Sequence, residues 1–507
     1  MQSPQLDSLF AKRFQDEVAS QIPHLNPRSN SIEKATPLLD ITSIIAEFTN
    51  AYVDMAKLPG DVRIFGKFDS KIFGGSVKVR SAVQIVGDAI STGVLTPDKT
   101  IFEATSGNFG IALALLRRLN LRVVALVSRK LHPGVVDRLN SEGVNLIDLD
   151  VDICPAPGFA GDADRALVEG ISLSMRQQLK DSGLDPVVFD KVRSEAEELL
   201  GRQDVIELAK LLAKAYGGFC TEQYDNELNV YAHESVTGPE IAQQLGESGE
   251  SLGDYQVVCS FGTGGTATGI SRHMMKTFGT KGVHVAFPQE DQDVAGIRSK
   301  GKAVGLRFYH PEEYASEIVV DFEKAKLLMD FMNQRDLDVG ESGGLSIIAA
   351  TQLIQAGKGN KFVVVIADGA SKYIKTNGTA RELTLHEALT AEPSFGAVVW
   401  THSAVVPNKK GLTAIAAALG VDEKILRVAK ARELQTLQIG ESVPDVFRVE
   451  GPEKRLLLVC MAGGTSLAVA EMLSRKGVQA TSLSGGIMGM PLTEGMPPFE
   501  FLQQARE

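Results

Sequence analysis

The chain has 507 residues, too many for one compact core, so two or three domains are expected. Its 44% hydrophobic and 23% charged residues fit a water-soluble globular protein. A net charge of -11 with no long basic run argues against nucleic acid as the main partner.

Residues 1–30 are polar, carry Asp7, Lys12, Arg13 and Asp16, and hold no apolar core segment. They read as an N-terminal extension and not as a signal peptide, and no stretch of the chain is expected to span a bilayer. Residues 31–390 form the first unit. Strands are predicted at 100–104, 122–127, 145–150, 256–260, 283–287 and 362–367, with helices such as 111–119 and 135–141 between them. That alternation predicts an α/β fold: two open, twisted, mostly parallel subdomains with helices on both faces. Residues 161–216 break the rhythm as a helical insertion, punctuated by Gly183 and Pro186. A linker is predicted at 391–396, and a smaller α/β unit occupies 398–507. Its elements are an apolar start at 398–400, a helix at 412–419, a strand at 456–459, a helix at 467–476 and a strand at 479–483.

The four cysteines, Cys154, Cys220, Cys259 and Cys460, are scattered and show no CxxC or His-rich pairing. Neither a disulfide framework nor a metal site is expected, and a reducing cytoplasm fits.

Three motifs carry chemistry. Lys78, in Gly75-Ser76-Val77-Lys78-Val79-Arg80, stands at a tight turn before a helix. There an amine can be fixed, partly desolvated and lowered in pKa, which suits imine formation. Thr105-Ser106-Gly107-Asn108 joins a strand to a helix and offers hydroxyls, an amide and helix N-terminal N–H groups, a natural anion site. An N-cap cluster that only stops fraying is the competing reading. Gly262-Thr263-Gly264-Gly265-Thr266 lets backbone approach a phosphate. A dinucleotide fingerprint, with Ala267 at its last glycine and Glu290 on a ribose, competes but leaves Lys78 and the Thr105 turn unexplained.

In order and spacing these motifs resemble the fold-type II pyridoxal phosphate (PLP) enzymes, the cysteine synthase and cystathionine β-synthase family, over about residues 35–376. The resemblance implies PLP as cofactor, with Lys78 as its Schiff-base lysine and Asn108 on its ring hydroxyl. Gly262, Thr263, Gly264, Gly265 and Thr266 would hold its phosphate. Thr105, Ser106 and Gly107 would hold a substrate carboxylate, joined by Gln223 from Glu222-Gln223-Tyr224-Asp225-Asn226. Thr237-Gly238-Pro239-Glu240-Ile241 also matches. Three departures stand out. Val79 replaces a frequent Asp. Phe109 replaces a Thr, a bulk expected to change which second substrate is admitted. Ala367-Asp368-Gly369-Ala370 replaces Pro-x-Ser-Gly, so the serine that faces the pyridine nitrogen aligns with Gly369. Ser342 or Glu341 is expected to substitute, with Ser342 preferred.

In the second unit, Cys460 ends a strand before Met461-Ala462-Gly463-Gly464-Thr465-Ser466 and a helix, where N–H groups favour a thiolate. The segment 450–490 resembles a rhodanese-like domain, with Cys460, Gly463 and Ser466 in register and Leu483-Ser484-Gly485-Gly486-Ile487 as the next landmark. It lacks that domain's Asp-x-Arg stretch and has Thr465 where active sulfurtransferases commonly carry Arg. A buried, inert thiol is the competing reading of Cys460.

These resemblances imply a PLP-dependent enzyme of β-replacement. It would act on an activated L-serine (O-acetyl- or O-phosphoserine) through an α-aminoacrylate, with Lys78 as the base. Sulfur is the expected nucleophile, carried as a persulfide on Cys460 or supplied by a sulfur-donor protein, to give cysteine or a related thio-amino acid. A homodimer is expected. Amine transfer as in diaminopropionate synthase (whose Lys-x-Arg context Lys78 and Arg80 share), serine/threonine dehydratase activity, and a non-catalytic scaffold are the alternatives.

Overall fold

The computed structural model describes residues 4–22, 35–52, 57–105, 107–128, 131, 133–149, 165–370, 381–383, 385–390, 395–401, 407, 409–439, 442–449, 455–460, 464–483 and 486–489. The first unit begins with β1 (Leu38–Asp40), β2 (Arg63–Phe68), β3 (Thr100–Ala104), β4 (Arg122–Ser128), β5 (Asn145–Leu149) and β6 (Phe219–Cys220). It continues with β7 (Gln256–Ser260), β8 (Val283–Pro288), β9 (Ser316–Val320) and β10 (Lys361–Ile366). The second unit contributes β11 (Arg381–Leu383), β12 (Phe395–Trp400), β13 (Leu426–Val428), β14 (Arg455–Val459) and β15 (Ala480–Leu483).

A six-stranded sheet runs β1-β2-β10-β7-β8-β9, and a four-stranded sheet runs β5-β4-β3-β6. All pairings are parallel except β1 on β2. The smaller sheet is thus nested in the chain between β2 and β7, and the Lys78–Ser91 helix leads from one sheet to the other. Val257–Cys259 of β7 and Phe362–Ile366 of β10 read as apolar runs because both faces are covered. The Glu341–Gln355 helix packs on this sheet with nearly every residue from Ser342 to Ile354 buried.

The predicted insertion is three helices, Arg165–Asp181, Pro186–Gly201 and Val205–Ala215. Gly183 takes φ +75° at the first break, where a side chain is strained. Pro186 opens the next helix, and the Asp185 carboxylate accepts from Val187 N at 2.9 Å as its cap. The three helices bury Leu179, Phe189 and Leu208 against Phe102 and Val124 of the smaller sheet.

The second unit is a five-stranded, wholly parallel sheet of order β11-β15-β14-β12-β13. Phe395 and Gly396, expected in the linker, already belong to β12. Phe395 pairs with Arg455, whose guanidinium lies 5.6 Å from its ring centroid, and this pairing extends the strand backwards. No described helix is long and apolar enough to cross a membrane.

Candidate active site

Lys78 is the first residue of its helix and is partly buried. Gly74 and Gly75, at φ +72° and +70°, make the turn that a side chain would oppose. Val77 N donates to Ala367 O at 2.7 Å, and Ser76 bridges Asp368, so the lysine turn is tied to the chain leaving β10. The carboxyl ends of β2, β7 and β10 therefore surround the amine, where ligands bind in open α/β sheets. Lys78 Nζ lies 3.4 Å from Thr263 Oγ1. Burial pushes its pKa down from 10.5 to about 8; the Arg298 guanidinium adds to this, while Glu103 and Asp368 oppose it.

The glycine loop leads into the Gly265–Phe278 helix, with Gly264 at φ +92°. Thr263 Oγ1 accepts from Asn229 Nδ2 at 3.0 Å and from Gly265 N at 3.4 Å. Thr266 Oγ1 contacts His233 Nε2 at 3.2 Å, and His233 Nδ1 contacts Thr237 Oγ1 at 2.9 Å. Burial drives His233 down to about 3, so this imidazole orients the loop without adding charge. A Cβ on Gly262 would lie 2.8 Å from Gly296 O, and one on Gly265 would meet the Asn229 amide. The loop can pack this closely on Gly296 and Asn229 only because these positions lack side chains.

In the turn after β3, Thr105 Oγ1 accepts from Gly107 N at 3.0 Å and Gly110 N at 3.3 Å, which leaves its own proton to donate. Ser106 lies outside the described residues, as do Cys154 and Gly463. Gln223 is held differently from expectation. Its Nε2 donates to Glu103 Oε1 at 3.0 Å and Ala104 O at 3.2 Å, so both amide hydrogens already face acceptors. A substrate carboxylate would have to draw one of them away. Glu103 also accepts from Thr221 Oγ1, and burial raises its carboxyl to about 7.

Phe109 is 2% exposed and packs into the apolar core with Val79 and Ile111, so its bulk is absorbed by packing. Asn108 Nδ2 donates to Asp368 Oδ2 at 2.8 Å, and Ser342 Oγ donates to Asp368 Oδ1 at 3.3 Å. Asp368 is therefore the residue that the sequence reading missed, one position before the aligned Gly369. Glu341 Oε2 instead accepts from Ala295 N at 2.8 Å.

Behind Lys78 lies a buried ion cluster, also unforeseen. Arg80 forms two bonds with Asp69 (2.7 and 2.8 Å) and one with Glu240 Oε2 at 2.7 Å, while Lys67 Nζ meets Glu240 Oε1 at 2.5 Å. The two cations hold both carboxyls below their ordinary range. Arg80 of the Lys-x-Arg context is thus occupied in fixing the lysine helix.

In the second unit Cys460 follows β14 and is 1% exposed. Ser466 N, in the helix Gly464–Arg475, donates to Cys460 Sγ at 3.4 Å, and Ser466 Oγ contacts Ser482 Oγ at 2.9 Å. The chain leaves β12 toward β13 on one side and β14 toward β15 on the other, so Cys460 stands at the sheet's topological switch point. Burial pushes the Cys220 and Cys259 thiols upward, away from thiolate.

A desolvated lysine amine, a glycine loop at a helix N-terminus and a hydroxyl turn at the end of a second sheet's strand define the class: a parallel α/β enzyme for an aldehyde cofactor that carries a phosphate. Residues 50–369 match the family model described as pyridoxal-phosphate dependent enzyme, and the chain belongs to that family. Cysteine synthase 1 of Emericella nidulans is 26% identical over 339 residues, covering 61% of this chain and 76% of that protein. Cysteine synthase of Staphylococcus aureus is 26% identical over 322 residues, covering 62% and 88%. A solved O-ureido-L-serine synthase, in a variant with O-ureido-L-serine bound, shares the fold with a TM-score of 0.50 and 21% identity, covering 69% of this chain and 93% of that one. The protein is a PLP-dependent, cysteine synthase-like enzyme.

Proposed function

We propose that the enzyme catalyses β-replacement on an activated L-serine with sulfur as the nucleophile. Lys78 Nζ at 3.4 Å from Thr263 Oγ1, with Asp368 linking the lysine turn through Ser76 to Asn108 at the end of the Thr105 turn, carries this reading. The bound cofactor supplies an aldehyde for the substrate amine and an electron sink for charge at Cα. Lys78 would anchor it, the loop from Gly262 to Thr266 would hold its phosphate, and Asn108 its ring hydroxyl. Asp368, touched by Asn108 and Ser342, would serve as the acidic partner of the ring nitrogen.

The chain's own residues then divide the work. Thr105, with Ser106 and Gly107, orients the substrate carboxylate. Lys78, whose pKa of about 8 leaves a useful fraction of free amine near neutral pH, takes the α-proton. The Cβ–O bond breaks with its electron pair on the leaving oxygen, sulfur adds at Cβ, and the proton returns to Cα.

In this proposal residues 398–507 act as a rhodanese-like unit that carries sulfur as a persulfide on Cys460; a small-molecule thiol reduces it, breaking the S–S bond to form a disulfide with Cys460 and releasing hydrogen sulfide, which adds at Cβ. The parallel sheet, the switch-point position of Cys460 and the Ser466 N–H aimed at its Sγ support that role. Tethering raises the local donor concentration to the order of millimolar for a short flexible linker. The working form is proposed to be a cytoplasmic homodimer; light scattering giving twice the chain mass supports it, and a monomer refutes it. Product analysis after mixing the holoenzyme with each serine derivative and sulfide tests the chemistry. Cysteine is expected; pyruvate alone would mark a dehydratase, and a diamino acid formed only with an amine would mark the amine branch.

A further inference from the structure

Asn229 stands between the glycine loop and the Gln223 segment and takes no direct part in the reaction. It is 1% exposed and is the second residue of the short helix Leu228–Ala232. That helix packs on both the Lys78–Ser91 helix and the Gly265–Phe278 helix. Asn229 Nδ2 donates to Gln223 O at 2.7 Å and to Thr263 Oγ1 at 3.0 Å. A backbone carbonyl can only accept, so the bond to Gln223 O fixes which end of the amide is the NH2. The side chain cannot turn over to offer Thr263 an oxygen instead. It is also enclosed on its far side, where a Cβ on Gly265 would collide with Asn229 Oδ1.

This arrangement settles the polarity of the Thr263 hydroxyl. Gly265 N also donates to Thr263 Oγ1, at 3.4 Å. An amide NH2 and a backbone N–H never accept, so together they occupy both lone pairs of that oxygen. Lys78 Nζ, at 3.4 Å, is a further donor while it is protonated. The Thr263 proton must point away from these groups. Thr263 is only 4% exposed, and a buried hydroxyl proton held in this way calls for an acceptor. A phosphate oxygen is the strongest acceptor that a PLP enzyme brings to a glycine loop. We propose that Asn229 is a positioning residue for the cofactor: by donating to Thr263 Oγ1 it commits that hydroxyl to donating to the PLP phosphate. A hydroxyl free to rotate would spend part of its time with its lone pairs toward the anion, which repels it. This inference rests on the reading above in which the loop from Gly262 to Thr266 holds that phosphate.

The test compares PLP with pyridoxal, the related aldehyde without a phosphate. Each is titrated into the full-length chain stripped of cofactor, and binding is followed by absorbance. The proteins are wild type, Asn229→Ala, Asn229→Asp, Thr263→Ala and the Asn229→Ala/Thr263→Ala double variant. Asn229→Ala should weaken PLP about 10-fold while changing pyridoxal by less than about 3-fold. Asn229→Asp keeps the shape, but its carboxylate can only accept. It should draw the Thr263 proton inward and weaken PLP at least as much, and it decides the matter if Asn229→Ala does not fold. The double variant should match Thr263→Ala within about 2-fold, because without the hydroxyl Asn229 has nothing left to orient. Equal losses for PLP and pyridoxal, additive losses in the double variant, or wild-type PLP affinity in the Asn229 variants would overturn this inference alone, provided that Thr263→Ala binds PLP weakly. Wild-type PLP affinity in Thr263→Ala would overturn the assignment of the phosphate to this loop as well.

Discussion

Asn108 Nδ2 donates to Asp368 Oδ2 at 2.8 Å across 260 positions of sequence, joining the loop after β3 to the chain leaving β10. Ser342 Oγ reaches the other oxygen of the same carboxylate at 3.3 Å. One acidic group therefore connects the residue expected at the cofactor's ring hydroxyl with the residue expected at its ring nitrogen. Asp368→Ser should retain cofactor, because Lys78 and the glycine loop are untouched. The pH titration of the cofactor absorbance near ~410–420 nm should shift, and turnover should fall about 10-fold or more. A variant with an unchanged titration and wild-type turnover would remove Asp368 from the cofactor's partners.

Lys78→Ala should abolish both turnover and the cofactor absorbance band, since no other described amine stands at the glycine loop. In wild type, the rate at which added PLP is captured by cofactor-free protein should rise with pH through about 8. The sign follows from burial: it disfavours the ammonium, so the attacking free amine appears at lower pH than for an ordinary lysine. A midpoint near the ordinary 10.5 would contradict this account of the lysine's environment.

The cluster of Arg80, Asp69, Glu240 and Lys67 makes a separate prediction about stability. Arg80→Met should cost about 3–5 kcal/mol in chemical denaturation, because it strands the buried Asp69 carboxylate and leaves Glu240 with Lys67 as its remaining cation. Asp69 and Glu240 have lowered pKa values in the fold, so their stabilisation is present above ordinary carboxylate values. It is lost as pH falls through their folded ones. Lys67, lowered to about 8, acts on the alkaline side, where its contribution rises with pH between about 8 and 10.5. Glu240→Gln should flatten the acid limb of a denaturation profile. An unchanged acid limb would show that the cluster is not what titrates.

Much of this was legible in sequence, and the reason is physical. β7 and β10 are buried on both faces, so they appear as continuous apolar runs. The motifs at Lys78, Thr105 and Gly262 are local, because a turn before a helix must be built from neighbouring residues. What escaped depends on contacts distant in the chain. Arg80 and Glu240 meet across 160 positions, and each alone reads as a surface charge. β11 and β13, with three residues each, are too short to show a period. Phe109 looked like a pocket residue because it sits in the substrate loop, yet the helix beginning at Asn108 turns it into the core. The Ala-Asp-Gly sequence at 367–369 held the signal for Asp368, a carboxylate directly after an apolar strand end.

Cys460→Ser should leave cofactor absorbance and turnover with free sulfide unchanged, since sulfide diffuses to Lys78 unaided. Product formation from a persulfide donor should fall about 10-fold or more, as loss of tethered delivery implies. Equal rates for wild type and variant with every sulfur donor would leave the second unit without a role in delivery.

The central claim, α-proton removal by Lys78 followed by sulfur addition at Cβ, is tested most directly by mass spectrometry in deuterated water. The holoenzyme with O-phospho-L-serine and sulfide should release cysteine carrying deuterium at Cα, and Lys78→Ala should release none. Pyruvate as the sole product, or cysteine that keeps its original α-proton, would contradict the account.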